Sequence, residues 1–258
     1  QIDVPGFEER YGDRGGNASV AVIDDGISNP EAGHPDLTFA TEAVAVNGSV
    51  TTGTLGSAGS HGEHVAGTAA GAAEPAGDVP RYGVAPESSL VMINAFEGGA
   101  TAEDILASVQ YSAEQDVDVA TMSLGFESTT GNSVLMTAME ETIQDANAAG
   151  TLVVGSAGNA RAGDDGGQAT SPGAEFSSFS VGASNAQGSI APFSSGSVIS
   201  PFAAEYVSAN GSYPANYPRE YVKPDVVAPG VDVLSAGPLG TVVADDAATY
   251  SESGGTSM

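Results

Sequence analysis

Short apolar runs alternate along the chain with stretches that repeat apolar residues at helical spacing. Runs with the length and β-branched content of strands buried on both faces occupy residues 19–23, 90–96, 117–124 and 151–154. Between them, Ile105, Leu106 and Val109 mark one face of a helix, and residues 134–143 mark a second helix that ends at Gly150. This alternation predicts an α/β fold with a mainly parallel central sheet flanked by helices, in three layers.

The remaining stretches are richer in loop-forming residues. Residues 1–17 are polar and glycine-rich, typical of an arm on the surface, and residues 178–183 and 226–234 predict further short strands. Residues 185–224 are dense in Ser, Pro, Tyr and Gly, which indicates a surface insertion. The chain shows no internal repeat and no domain boundary, so we expect residues 1–258 to form a single domain.

A helix start is predicted at Ser60. Ser60 followed three residues later by Glu63 has the spacing of a capping box, which places His61 in the first turn. An imidazole held at a helix start, with a carboxylate on its far nitrogen, can act as a general base. The alternative is that His61 and His64 are surface histidines on a helix rich in small residues.

Two further stretches carry candidate chemistry. Asp24 follows the first apolar run directly, and the carboxyl ends of parallel strands are where open sheets place their sites. Ser257 follows two glycines that permit a tight turn into a helix, where its backbone N–H would point at a developing oxyanion. Taken singly, Asp24 also fits a turn residue, and Ser257 also fits a flexible tail.

The charge balance narrows the functional classes. Thirty-three acidic residues stand against six basic ones, for a formal net charge of −27. Such a chain lacks the basic face that nucleic-acid binding requires. Its self-repulsion is relieved by screening, so we hypothesise a protein built for concentrated salt, with an ordinary acidic protein as the alternative.

The lack of cysteine and of long apolar runs argues against disulfide-stabilised, thiol-dependent and membrane-spanning proteins. The chain has no cysteine, so neither a disulfide framework nor a thiolate nucleophile is available. No apolar run approaches membrane-spanning length, and no signal-peptide pattern opens the chain. Because it begins at Gln1, we expect a mature or excised segment.

Eight short motifs together resemble the subtilases, the subtilisin-like serine proteases. They are VIDDG at 22–26, HPDL at 34–37, HGEHVAGT at 61–68, GVAP at 83–86, SLG at 123–125, GN at 158–159, KPDVVAPG at 223–230 and GTSM at 255–258. They span nearly the whole chain in the order of the family. The acid-rich, lysine-poor composition further resembles the secreted subtilases of halophilic archaea, and this implies an extracellular protein.

The resemblance implies a role for each matching residue. Ser257 attacks the peptide carbonyl, His61 takes and returns the proton, and Asp24, rather than Asp25, orients the imidazole. The side chain of Asn159 and the backbone N–H of Ser257 form the oxyanion hole. The substrate-binding residues implied are Ser123, Leu124, Gly125, Ser156, Ala157 and Gly158. His64 and His34 are implied to be structural.

Three departures from the family pattern stand out. Asp25 and Glu63 replace small residues or threonine, and their charge should raise the pKa of His61. Phe126 follows Gly125 where a second glycine is common. The sequence ends one residue after Ser257, where the family continues into a long helix, so we expect this polypeptide alone to lack the C-terminal helices and to be inactive.

The sequence lacks the signatures of two other classes of protein. A zinc enzyme would need a His-Glu-x-x-His pattern or cysteines, and a dinucleotide-binding protein would need Gly-x-Gly-x-x-Gly spacing; neither occurs. A non-catalytic, subtilase-like extracellular binding module stays open. The resemblance implies polypeptide substrates, an N-terminal pro-segment, a monomer and no cofactor for the chemistry. It leaves room for structural calcium, although no acidic stretch has a defensible ligand spacing.

Overall fold

The computed structural model describes residues 3–57, 59–126, 133–161, 167–200, 218–237, 242–245 and 248–258. The helices in these ranges are α1 (Val4–Tyr11), α2 (His61–Ala70), α3 (Ala102–Glu114) and α4 (Ser133–Ala149). The strands are β1 (Ser19–Asp24), β2 (Phe39–Val46), β3 (Ser49–Thr52), β4 (Ser89–Asn94), β5 (Val119–Met122), β6 (Leu152–Ser156), β7 (Phe179–Ser184), β8 (Ser197–Ile199), β9 (Tyr221–Lys223), β10 (Val226–Pro229), β11 (Val233–Ala236), β12 (Val242–Asp245) and β13 (Ala248–Ser253).

The central sheet has eight strands in the order β10-β7-β6-β5-β1-β4-β2-β3. All neighbouring pairs are parallel except β2 with β3, which form an antiparallel pair at one edge. The predicted α/β fold with a mainly parallel sheet and flanking helices is therefore confirmed. The sheet brings β1 to its centre, between β5 and β4.

The central strands β1 and β4 are apolar between their end residues, and both of their faces are buried there. Along β1, Ala21 and Ile23 join the core beneath α3 and α4, while Val22 joins the core beneath α2. On the neighbouring β4, Ile93 and Met92 divide between the same two cores. Side chains alternate between the faces of a strand, so a continuous apolar run supplies two cores at once.

Three parts of the chain differ from expectation. Residues 1–17 contain the surface helix α1, capped by Asp3, rather than an arm. The β2–β3 hairpin has no counterpart in the predicted elements, because β2 is only partly buried and mixes Thr and Glu with its apolar residues. Residues 226–234 divide into β10, at the edge of the central sheet, and β11, in a separate antiparallel sheet with β13 and β12.

The predicted insertion at 185–224 lies partly outside the described residues, which omit 201–217. On either side of that range, β8 and β9 pair as an antiparallel ribbon. The insertion and the single-domain organisation stay predictions. In the ranges described here, no helix is both long and apolar enough to cross a membrane.

A buried carboxylate joins the small antiparallel sheet to the rest of the fold. Asp36 accepts hydrogen bonds from the hydroxyls of Tyr82 (2.7 Å) and Tyr250 (2.9 Å) and from the backbone N–H of Ala76 (2.7 Å). The ring of Tyr250 is fully buried and meets those of His34 and Tyr82 edge-on. His34, as the resemblance implied, makes structural contacts: one ring nitrogen lies 2.9 Å from the carbonyl oxygen of Thr249.

We predict that Asp36→Ala destabilises the protein strongly. The change leaves the buried hydroxyl of Tyr250 without its acceptor, at a cost of about 1–3 kcal/mol, and also removes the partly buried hydrogen bonds from Tyr82 and Ala76. The free energy of unfolding should therefore fall by roughly 2 kcal/mol or more. Denaturant unfolding measures it. Asp78→Ala is the control, because Asp78 is an exposed residue in the loop that follows α2. Equal losses for the two variants would contradict the role of Asp36.

Candidate active site

The carboxyl ends of three adjacent strands meet at one edge of the central sheet. Strand β1 ends at Asp24, β5 leads into Ser123, and β6 ends at Ser156. Ligand sites of open parallel sheets lie at this edge. The topology therefore brings together the stretches that carry most of the predicted site residues.

Asp24 and His61 form a direct pair. The Nδ1 atom of His61 lies 2.8 Å from Oδ1 and 3.0 Å from Oδ2 of Asp24, whose side chain is 2% exposed. Because a carboxylate accepts, Nδ1 carries the proton, and the lone pair is left on Nε2. The imidazole is 32% exposed and is thus accessible from outside. In this tautomer, Nε2 of His61 can accept a proton.

The start of α2 is capped by Asp25, and the predicted capping box is wrong. Ser60 occupies the N-cap position but makes no side-chain cap hydrogen bond, and the carboxylate of Glu63 instead accepts from the Ser28 hydroxyl. The carboxylate of Asp25 accepts from the backbone N–H groups of Ser60 (3.2 Å), His61 (3.3 Å) and Gly62 (2.7 Å). A negative charge there also complements the helix dipole.

Gly62 lets the helix start approach the end of β1. A Cβ atom at this position would lie 2.6 Å from the carbonyl oxygen of Gly26 and 2.9 Å from the Cβ of Asp24. Both distances are too short for a side chain, and one of the atoms is backbone. The glycine after His61 therefore permits the separation at which the Asp24–His61 hydrogen bond forms.

The environment of His61 raises its pKa above the usual value. Burial acts in the opposite direction, but the hydrogen bond and charge of Asp24, together with the charge of Asp25, outweigh it. The charge of Asp25 contributes to the raised pKa of His61, as predicted, whereas the charge of Glu63 does not. Burial raises the pKa of Asp24, and its hydrogen bond to His61 opposes that rise.

The two predicted substrate-binding stretches lie side by side and are directly bonded. The hydroxyl of Ser156 donates to the carbonyl oxygen of Leu124 (3.2 Å). Ala157 is fully buried. Added Cβ atoms at Gly125 and Gly158 would both lie within 3 Å of Thr170 Oγ1, at 2.6 and 2.9 Å. Thr170 therefore lies between the two stretches, and no sequence pattern pointed to it.

The segment that carries Ser257 is attached to both stretches. The hydroxyl of Ser123 donates to the carbonyl oxygen of Ser257 (2.8 Å), and Gly158 N–H donates to Thr256 Oγ1 (3.0 Å). Asn159 Oδ1 accepts from the backbone N–H of Thr256 (2.9 Å), which directs the amide Nδ2 the other way. Asn159 and Ser257 thus lie close together at the predicted oxyanion hole.

Ser257 is not joined to His61. Its hydroxyl donates to the carbonyl oxygen of Ser123 (3.0 Å), and no hydrogen bond links it to His61 among the residues described. Residues 254–258 form a turn rather than the start of a helix. The structure therefore brings Asp24 to His61, and Asn159 to the serine segment, but leaves the two halves without a direct bond.

The other candidate ligands lie apart from this chemistry. His64 is fully buried with one ring nitrogen 3.0 Å from the carbonyl oxygen of Val233, and burial lowers its pKa. In the described ranges, no group of three or more His, Cys, Asp or Glu side chains could hold a metal ion. Structural calcium stays a prediction.

Comparison with known proteins matches the chain to one family. The model of the family described as "Subtilase family" matches residues 15–258. Subtilisin DY of Bacillus licheniformis is 34% identical over 213 residues, which are 81% of this chain and 71% of that protein. Subtilisin Savinase of Lederbergia lenta is 29% identical over 260 residues, 100% of this chain and 77% of that protein. An intracellular serine protease of Paenibacillus polymyxa is 31% identical over 95% of this chain and 64% of its own length.

We predict that Asp25→Asn lowers the pKa of His61 and weakens the start of α2. The variant removes a negative charge that raises this pKa, so the imidazole should lose its proton at lower pH than in the wild type. Partial loss of the cap should cost about 0.5–2 kcal/mol of stability. NMR titration of the His61 ring measures the first effect, and thermal unfolding measures the second.

Glu31→Gln is the control for Asp25→Asn, because it removes one exposed carboxylate from the loop after β1 without changing the start of α2. An unchanged His61 titration in Asp25→Asn would show that the charge of Asp25 does not reach the imidazole.

Proposed function

Since the chain belongs to the subtilase family, we propose that it is a serine endopeptidase whose catalytic residues are Asp24, His61 and Ser257. The observation that carries the residue assignment is the hydrogen bond from His61 Nδ1 to the buried Asp24 carboxylate. It leaves Nε2 as the free basic atom, and the resemblance supplies Ser257 as its partner. The reaction uses side chains and water alone.

The first half of the reaction forms an acyl-enzyme. The substrate lies extended along Ser123–Gly125, and the residue before the cut lies between this stretch and Ser156–Gly158. Ser257 Oγ attacks the carbonyl carbon as its proton passes to His61 Nε2, and Asp24 stabilises the resulting imidazolium. The negative oxygen is held by Asn159 Nδ2 and the N–H of Ser257. His61 then returns the proton to the departing amine.

The second half reverses these roles with water. His61 takes a proton from a water molecule, which attacks the acyl carbon and forms a second oxyanion in the same hole. The carbon–oxygen bond to Ser257 breaks, and the serine regains its proton from His61. Each turnover therefore leaves the three side chains in their starting protonation states.

Ser257 must change its hydrogen bond before it can react. Its hydroxyl donates to Ser123 in the observed arrangement, so it has to turn toward His61. We therefore propose that the observed arrangement is a resting one, in which Ser257 does not cleave peptides until its hydroxyl turns to His61.

A non-catalytic binding module is the second candidate. The observation in its favour is the same Ser257–Ser123 hydrogen bond. With the Ser257 hydroxyl engaged in this way, a peptide bound along Ser123–Gly125 would lie beside a serine that does not react. The two candidates differ in what happens to the peptide. A binding module retains it intact, whereas the peptidase releases two products.

The acidic surface supports a proposal about the environment. Arg14, Arg81 and Lys223 each pair with carboxylates, but six basic residues can neutralise only a small share of 33 acidic ones. We propose an extracellular, monomeric enzyme, made with a pro-segment, that works in concentrated salt. One relative is named an intracellular protease, so the family alone does not decide the compartment.

We predict that Ser257→Ala abolishes peptide cleavage in an active preparation, with kcat falling roughly 10⁶-fold, because a triad acts as a unit. Asn159→Ala should lower kcat by about 10²–10³ with little change in KM, since the amide binds mainly the oxyanion. Chromogenic peptide hydrolysis measures both. Ser189→Ala, at an exposed serine, is the control. Undiminished cleavage by Ser257→Ala would exclude the proposed nucleophile.

We predict that stability increases with salt well beyond physiological concentration. Screening shortens the range of repulsion among carboxylates, to about 3 Å at 1 M salt. Thermal unfolding at rising KCl concentration should show a continuing increase in Tm. A variant with ten exposed acidic residues changed to Asn or Gln should lose most of this dependence. Equal Tm values at low and high salt would contradict the proposed environment.

A further inference from the structure

A short segment beneath the proposed substrate pocket is bonded to both of its walls. The N–H of Thr170 donates to the carbonyl oxygen of Ala157 (3.2 Å), in one wall. The carbonyl oxygen of Ser171 accepts from the N–H of Phe126 (2.8 Å), at the end of the other wall. Any shift of Thr170 and Ser171 therefore changes the separation of the walls.

The side chain of Ser171 is hydrogen-bonded to a buried carboxyl group, that of Glu175. Its hydroxyl donates to Glu175 Oε1 (2.7 Å), and both residues are nearly inaccessible, at 3% and 1% exposed. The second oxygen, Oε2, is buried and has no hydrogen-bond partner among the described residues. This carboxyl group is outside the proposed triad and the oxyanion hole, so the peptidase mechanism gives it no role.

We propose that Glu175 is a positioning residue whose protonation state sets the geometry of the substrate pocket through Ser171. The proposal rests on the peptidase function proposed above. With the carboxyl neutral, Ser171 and its bond to Phe126 stay in the observed position. With the carboxyl ionised, a bare anionic oxygen lies in the core, and the segment shifts to admit water, which loosens the pocket.

The surroundings of Glu175 favour its neutral form at pH values below about 7. Burial is the main cause, and the carboxylate of Glu140, on α4, adds to it, while the Ser171 hydroxyl and the Lys223 ammonium, on β9, oppose it. Lys223 is itself engaged by Asp225 (2.8 Å) and by the carbonyl oxygen of Ser178 (2.6 Å). Together these influences raise the pKa of Glu175 to about 7.

The kinetic test separates Glu175 from His61. In the wild type, KM for an extended peptide should rise roughly three- to tenfold as the pH increases through about 7, since one pKa unit corresponds to a tenfold change in the equilibrium. In Glu175→Gln, which keeps an acceptor for Ser171 but cannot ionise, KM should be nearly constant. The acid limb of kcat, set by His61, should stay in place. A Glu175→Gln variant with the wild-type KM profile would overturn the proposal.

Glu140→Gln is the matched variant, and it keeps the test informative if Glu175→Gln folds poorly. Burial is the main cause of the raised pKa of Glu175, and this variant removes the smaller contribution of the Glu140 charge while leaving the Ser171–Glu175 bond. The KM transition should therefore move to lower pH without disappearing. A transition that stays at the wild-type pH in this variant would count against Glu175 as its source.

A stability measurement tests the titration independently of peptidase activity. Because the folded-state pKa is raised above the ordinary 4.5, Glu175 favours folding below pH 4.5 and loses that contribution as the pH rises through about 7. The Tm of Glu175→Gln relative to wild type should therefore increase between pH 5 and pH 8. If this shift occurs without any peptide cleavage, the peptidase proposal fails and the titration stands. A Tm difference that is flat across this range overturns the titration itself.

Discussion

The hydrogen bond between Asp24 and His61 is the interaction on which the proposed site depends. It requires that the last residue of a central strand and the first residue of a helix meet at a distance of 2.8 Å. The apolar run of β1, buried on both faces, fixes the position of Asp24. The absence of a side chain at Gly62 allows α2 to come close enough, so the geometry of the proposed site follows from packing on one strand.

Two consecutive aspartates, Asp24 and Asp25, have different partners where the end of β1 meets the start of α2. Asp24 binds the imidazole, while Asp25 binds the backbone N–H groups at the start of the helix that carries it. One carboxylate thus orients the imidazole, and the other stabilises the start of the helix that carries it. Both charges also favour the imidazolium. In the proposed mechanism they would stabilise the state formed during proton transfer, but a higher pH would be needed to deprotonate the imidazole.

The sequence predicted the mainly parallel core well, because continuous apolar runs have few alternative structures. It failed where the deciding contacts are distant in the chain. Ser60 and Glu63 have the spacing of a capping box, yet the cap comes from Asp25, 35 residues earlier. Hairpin β2–β3 was missed because β2 is only partly buried and the edge strand β3 is mostly exposed, so neither is a continuous apolar run. The position of Thr170 beneath the pocket depends on tertiary contacts alone.

The proposed site has a formed half, Asp24 with His61, and a serine whose hydroxyl must turn toward His61. Labelling with a fluorophosphonate, followed by peptide mapping, tests this most directly because the reagent reacts only with a serine activated by a base. We expect a single adduct, on Ser257, in an active preparation, and its loss in His61→Ala. An adduct on another serine, or cleavage activity that survives without labelling of Ser257, would contradict the proposed catalytic residues.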